Sequence, residues 1–468
     1  MLLVILSVLL FSCHQQHQQV YDLSGINWEK SLKTAQQISK IQKRPIFLYF
    51  SAVWCSWCRE YEKELSEVKE LVEKYYVPLN LDSDREGEIF TRFGGRGTPF
   101  TVIIDPDGRV ITKFHGALKS KDLQKILTMS IGKQKPLKKS EKDFYTLKVN
   151  KETYNFLLNY FLDDLQIRFD PELGGFTSPS QEGFSLKWPT PLTYSYLLNK
   201  GILVDEALIS LKKDIEFLYD PVDGGFFNFY DRTRAFDIYF ETSKTLRVNA
   251  QMITALISAY RTTGDEIYLK IAKETYKYLK RTLYHRGTGC FLNAQISMPD
   301  YYNLPPEERV RKDPPPTDSA IIVEDNAYTI IALKELFNET KEEKYLKDAK
   351  ICLKFILNNL VSEKGVYRYY DIRTGQKGSI NFHRDVIQLA IAITHLDLYN
   401  RAKNLVIDKL TEEVYKDPLS FYSASYLLAI IDRERSKRFI EDSKISLSYQ
   451  NPDHFVYLLL AFEKILGL

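Results

Sequence analysis

The chain has 468 residues, 44% of them apolar, and 64 basic against 61 acidic side chains leave a net charge of +3. That length fits two or three domains with large cores, and the balanced charge, with no Lys/Arg block, argues against nucleic acid or another polyanion as a partner. Aromatic residues are abundant (31 Tyr, 27 Phe, 4 Trp); cores absorb most of such a surplus, and carbohydrate-binding clefts also use it.

Residues 1–11 form an apolar run too short to span a bilayer. It leads into Leu10-Phe11-Ser12-Cys13, which resembles a bacterial lipoprotein signal, cut before a cysteine that is then lipidated. The run lacks the Lys or Arg that usually precedes such a stretch, and an uncleaved anchor is the alternative. Either reading puts the remainder outside the cytoplasm, in the cell envelope, with Cys13 as the membrane attachment of a periplasmic lipoprotein. Residues 14–19 are a polar tether.

Pro45-Ile46-Phe47-Leu48-Tyr49-Phe50 reads as a buried strand that runs into Trp54-Cys55-Ser56-Trp57-Cys58-Arg59. Residues 60–75 then carry apolar side chains at helical spacing. A Cys-x-x-Cys at a helix start suits dithiol chemistry, because the helix N-terminus favours a thiolate on Cys55. Cys58, one turn on, is placed to resolve a mixed disulfide. This predicts an exposed nucleophile at Cys55 and a shielded Cys58. A zinc site would need a second Cys/His pair, and the next hundred residues offer His115 as their ring; neither metal nor cofactor is expected. Thr98-Pro99, at the entrance to a second apolar strand, suits a cis peptide bond. The turn Asp105-Pro106-Asp107-Gly108 starts a hairpin, and a helix over 119–131 follows.

This order of elements resembles thioredoxin, which implies Cys55 and Cys58 as catalytic, Trp54, Trp57, Thr98 and Pro99 as supporting residues, and protein thiols or disulfides as partners. Two departures bear on the proton relay. Tyr49 stands where thioredoxins place a buried carboxylate, and Pro78 where they place a lysine.

The thioredoxin-like domain is assigned to residues 20–132. A basic, non-periodic stretch over 133–149 is the linker, with a boundary near Pro136. From 150 to 468 helical periodicity dominates, in twelve segments that pair into six hairpins. Asn249-Ala250 and Asn326-Ala327 open two copies of one unit, 77 residues apart. Asp170-Pro171-Glu172-Leu173-Gly174-Gly175-Phe176 is echoed by Asp220-Pro221-Val222-Asp223-Gly224-Gly225-Phe226, and more weakly around Phe291 and Tyr367. Helix-pair repeats with long, uneven loops point to a closed ring over an open solenoid. The pattern resembles the (α/α)6 toroid of many sugar-active enzymes, whose long loops gather at one mouth.

A thioredoxin-like domain followed by such a toroid resembles the YyaL-type family, which includes a human spermatogenesis-associated homologue. The likeness rests on Cys55-Ser56-Trp57-Cys58, Asp84-Arg85, Gly94-Gly95, Gly174-Gly175-Phe176, Lys187-Trp188-Pro189, and Phe240-Glu241 followed by Lys244, Leu246 and Asn249-Ala250. Ser56 and Arg59 replace both histidines of the family's Cys-His-Trp-Cys-His, so this is a divergent member.

For toroid chemistry the candidates at loop-to-helix junctions are Asp237, Glu241, Glu324, Asp325, His383 and Asp385, with Trp188 and Tyr230 as sugar platforms. Paired carboxylates would serve glycoside hydrolysis, and an acid/base pair would serve sugar epimerisation. Equally, Glu324, Asp325 and His383 can cap the helices they begin. Three functions follow: an envelope-anchored thiol–disulfide oxidoreductase whose toroid recognises a substrate or partner, a carbohydrate-active enzyme with an accessory redox domain, and a non-catalytic envelope scaffold. The first is favoured, because the Cys55/Cys58 spacing alone spells out a chemistry.

Overall fold

The computed structural model describes residues 22–131, 145–176, 186–231, 241–406, 414, 417–445, 447 and 451–468. Cys13, Asp237 and the expected boundary at Pro136 lie outside them.

The first domain is built on β1 (Ile46–Ser51), β2 (Val77–Asp82), β3 (Phe100–Ile104) and β4 (Val110–His115), in the order β2-β1-β3-β4. β1 is parallel to β2 and antiparallel to β3, and β3 is antiparallel to β4. Because strand side chains alternate between faces, Phe47 and Tyr49 pack on one side with α2 (Ser56–Ser66), α3 (Lys69–Tyr75) and α5 (Ser120–Ser130). Ile46, Leu48 and Phe50 pack on the other with α1 (Leu32–Gln42) and α4 (Gly87–Arg92). The single helix expected over 60–75 is broken between α2 and α3. The break keeps Leu65, Val68 and Val72 in the same core.

The second domain is a closed double ring. α7 (Pro191–Lys200), α9 (Leu246–Thr263), α13 (Val323–Thr340), α15 (His383–His395), α17 (Pro418–Ile431) and α19 (Pro452–Leu466) pack in succession, and α19 returns to α7. Outside them lie α6 (Lys151–Arg168) against α19, α8 (Val204–Leu218), α10 (Glu266–Tyr278), α14 (Glu343–Asn359), α16 (Tyr399–Val406) and α18 (Arg433–Glu441). Sequence patterning matches position: α15 is buried continuously over 385–394, as an inner helix must be, whereas α10 buries one face. Two short turns, α11 (Pro299–Tyr302) and α12 (Pro306–Arg309), sit in the long connection before α13. Since each inner helix is followed by its outer partner running back, all inner helices start on one rim.

The sequence repeats interlock on that rim. Asn249 on α9 accepts the amide of Phe226 and donates to the Phe226 carbonyl (2.7 and 3.0 Å). Asn326 on α13 does the same to Phe291 (2.9 and 2.9 Å). Each asparagine thus clamps one glycine-aromatic loop to the helix behind it. The Asp turns are a second device. Asp170, Asp220 and Asp371 each accept two amides of their own turn through Oδ1. In the first two copies a buried lysine bonds both the Asp and the Gly carbonyl: Lys187 to Asp170 and Gly174, Lys244 to Asp220 and Gly224. Gly225 takes φ +78, and a Cβ there would collide with the Tyr278 ring. Phe176, Phe226 and Phe291 are fully buried in the toroid core, with Tyr367 packed against it. Three of the four aromatics of the loop repeat are thus core, and the fourth packs on it.

Cys290 and Cys352 form a disulfide, bonded at 2.01 Å. The bond ties the loop before Phe291 to α14. Two separate elements meet here because Asn326 pulls that loop down against the helix pair.

Candidate functional site

Cys55 is the N-cap of α2. It is bonded to Cys58, and its Sγ accepts the Cys58 amide at 3.0 Å. The peptide bond between Thr98 and Pro99 is cis, and the Thr98 carbonyl lies 3.7 Å from Cys55 Sγ. The exposed Cys55 expected from sequence is not found: both cysteines are only 2% exposed. The toroid is bonded to the residues on both sides of Cys55. Ser56, between the cysteines, donates from Oγ to Glu241 Oε2 at 2.7 Å, and the Ser297 amide donates to the Trp54 carbonyl at 3.3 Å. Burial raises the pKa of Glu241, against hydrogen bonds from Ser243 and Ser56 that lower it.

The turn after β2 completes the contact. Asp84 accepts from Trp54 Nε1 (2.7 Å) and Asn293 Nδ2 (2.8 Å), and its carbonyl accepts from Arg368 Nε. Arg85 pairs with Asp318 at 2.8 Å and with Asp371 at 3.4 Å. It thereby supplies the third Asp turn with the cation that lysines give the first two.

A buried carboxyl that sequence reasoning missed lies behind Cys58. Glu62, one turn further along α2, is 7% exposed; burial pushes its pKa up to about 7, against the Leu23 amide it accepts. It interacts with the Tyr49 hydroxyl, which donates to the Cys58 carbonyl at 3.3 Å. The carboxyl that Tyr49 displaced from β1 is thus supplied from α2. Its position between Tyr61 and Leu65, on the buried face, is the signal that could have found it.

On the toroid rim the carboxylates are engaged by arginines. Arg247 holds Glu324 (2.8 Å) and Asp325 (2.6 Å). Arg368 grips both oxygens of Asp385 (3.0 and 2.9 Å) and lies 3.7 Å from Glu324. Burial would raise the pKa of Glu324, but Arg247, Arg368 and Arg384 outweigh it and hold it low. Asp325 and Asp385 stay raised, burial prevailing over their arginines, with Glu324 adding to the rise. Neither Glu324 nor Asp325 caps its helix, whose N-cap is Ile322. His383 is half-buried at the first residue of α15. Tyr230 is a strut and no sugar platform: it is buried, and its hydroxyl donates to the Leu173 carbonyl at 2.6 Å. Trp188 is 39% exposed and packs on Phe229 at 4.9 Å. The structure thus gathers Glu324, Asp325 and Asp385 into one network and puts Glu241 with the dithiol. No group of His, Cys, Asp and Glu suited to a metal ion occurs among the described residues.

Residues 32–130 match the thioredoxin-like domain family, and residues 248–407 match the family described as D-glucuronyl C5-epimerase C-terminus. The chain is 24% identical over 333 residues to spermatogenesis-associated protein 20 of Mus musculus, and 24% over 332 residues to that of Homo sapiens. The chain is distantly similar to spermatogenesis-associated protein 20. Each match covers 60% of this chain and 40% of spermatogenesis-associated protein 20. A thioredoxin-like domain followed by an (α/α)6 toroid is the YyaL-type architecture that the sequence implied. Among solved structures, a D-mannose isomerase shares the toroid fold, with a TM-score of 0.50 at 14% identity over 69% of this chain and 99% of that one.

Proposed function

We propose that the chain is an envelope-anchored thiol–disulfide oxidoreductase that works through Cys55 and Cys58, with the toroid recognising its substrate or partner. The observation that carries this is Cys55 at the N-cap of α2, its sulfur accepting the Cys58 amide beside Thr98 and Pro99. One exchange oxidises the partner, and its reverse reduces it. A partner thiolate attacks Cys55 Sγ, the Cys55–Cys58 bond breaks, and the electron pair leaves on Cys58. The partner's second thiol then displaces Cys55, so the partner is oxidised as the dithiol is reduced. Glu62, whose pKa burial raises to about 7, is the buried acid on this face of α2 and meets the Tyr49 hydroxyl that bonds the Cys58 carbonyl. The test is trapping. Cys58→Ser should accumulate mixed disulfides with protein partners, and Cys55→Ser should not. Alkylation of both reduced thiols equally, and only above about pH 8.5, would mean an unactivated pair and sink this reading.

A carbohydrate-active toroid is the second reading. It is favoured by the match of residues 248–407 to an epimerase family and by acids at the inner-helix rim. The arginines that occupy Glu324, Asp325 and Asp385 weigh against it. Turnover of a mannose- or uronate-containing sugar that survives Cys55→Ser and is lost in Glu324→Gln would favour it.

Envelope placement rests on residues 1–13, and the Cys290–Cys352 bond supports it, since such bonds persist in oxidising compartments. Cys13→Ala is expected to shift the protein from the membrane fraction to the soluble one. A mature chain that starts at Met1 without lipid would overturn the lipoprotein reading.

A further inference from the structure

A disulfide is opened by a thiolate that approaches in line with the S–S bond, so Cys55 Sγ must be reachable from outside. In the docked chain Cys55 is 2% exposed, and the residues on both sides of it are bonded to the other domain. Glu241 holds the hydroxyl of Ser56 and Ser297 holds the carbonyl of Trp54, the residues flanking Cys55 on either side. The rest of the contact is polar as well. Arg85 pairs with Asp318 and Asp371, Asn293 bonds Asp84, Arg368 bonds the Asp84 carbonyl, and Ser379 bonds the Arg85 carbonyl at 3.4 Å. The apolar cores of the two domains stay separate: neither cluster of the thioredoxin-like domain includes a toroid residue. Interfaces of this polar kind between domains of one chain are the ones that part and re-form.

We propose that the toroid is a removable cap on the dithiol. With the domains docked, Cys55 is shut; exchange with a protein dithiol follows only when the rim carrying Glu241, Ser297 and Asp318 lifts off. The proposal rests on the oxidoreductase reading, because it concerns how that same dithiol is regulated. It also assigns Ser56 a task. Standing between the cysteines, its hydroxyl lets a toroid carboxyl grip the dithiol loop itself. Arg85 is the charged anchor of the cap and has no contact with either sulfur.

The test uses the full soluble chain with its Cys55–Cys58 bond oxidised. The rate of its reduction is followed with dithiothreitol and with a reduced thioredoxin as probes. Arg85→Ala should be reduced at least about tenfold faster than the wild type by both. The equilibrium position against dithiothreitol should move far less than the rate. The charge swap Arg85→Asp with Asp318→Arg should restore slow reduction. Raising salt from about 0.05 to about 0.5 M should speed the wild type and leave Arg85→Ala nearly unchanged, because ion pairs at a parting interface are screened. Resistance of the buried Cys290–Cys352 bond to the same dithiothreitol, read by the absence of alkylated Cys290 and Cys352, reports a folded toroid in each variant. A wild type reduced as fast as Arg85→Ala, and indifferent to salt, overturns the cap while leaving the oxidoreductase reading intact. If Arg85→Ala opens to dithiothreitol yet neither form exchanges with the protein dithiol, the cap stands and the oxidoreductase reading fails.

Discussion

Replacing Cys290 and Cys352 together with alanine is expected to lower the stability of the toroid by about 4 kcal/mol, the chain-entropy value for a loop of this size. The bond closes 62 residues of chain, from the loop before Phe291, through α13, to the middle of α14. Both cysteines are buried (0% and 1% exposed), so little of that loss is recovered by rehydration. The defect should be local at first. Phe291 is held by Asn326 from one side and by this bond from the other, so losing the bond should loosen the rim between α9 and α13. Urea unfolding of the double variant, compared with wild type under reducing and oxidising conditions, checks this. A midpoint that does not shift, in either comparison, would mean that the native protein does not depend on the bond.

Arg368→Met should cost about 3–5 kcal/mol, the usual result of removing one partner from a buried ion pair. Arg368 is 5% exposed, Asp385 is fully buried and Glu324 is 2% exposed, so no water is at hand to replace the guanidinium. The loss should depend on pH, with a definite sign. Asp385 already has a raised pKa in the folded chain, from burial that Arg368 opposes. A carboxyl raised on folding costs nothing below its unfolded value, about 4, and costs progressively more as pH climbs through its folded value. Without Arg368 the folded value rises further. The part of the deficit carried by Asp385 should therefore be absent below about pH 6 and grow as pH climbs from about 7 upward. Denaturant midpoints across that range read it directly; a deficit that grew toward acid would contradict the assignment. Arg368→Lys should recover only part of the loss, since one ammonium cannot reproduce the two-oxygen grip on Asp385.

The toroid is legible because helices such as α8, α10 and α14 are long with one apolar face, and because Asn249-Ala250 and Asn326-Ala327 announce a repeated unit. The dithiol was legible for a similar reason, since strand, Cys-x-x-Cys and helix are neighbours in the chain. What stayed hidden is what depends on distant partners. Ser56 and Glu241 are 185 positions apart, and Arg85 and Asp371 are 286; no local pattern marks either pair. The same holds for Cys290 and Cys352, one in a loop and one in a helix. Tyr230 looked like a platform because an aromatic in a long loop has no local partner, whereas its hydroxyl is spent on Leu173 across the fold. Glu62 stands in a charged helix where its place between Tyr61 and Leu65 is the sole mark that points it inward.

The third Asp turn has a bearing on which first domains this toroid can dock. Asp170 and Asp220 are neutralised by lysines of the toroid itself, but Asp371, together with the nearly buried Asp318, looks to Arg85 across the domain boundary. A toroid severed from its neighbour would be left with two adjacent carboxylates and no cation. Once parted, those carboxylates are free to be hydrated, so the cost falls on docking and not on the toroid's own fold. A first domain exchanged for another thioredoxin-like one would therefore dock on this rim only if the newcomer carried a cation at the same point of the turn after its second strand.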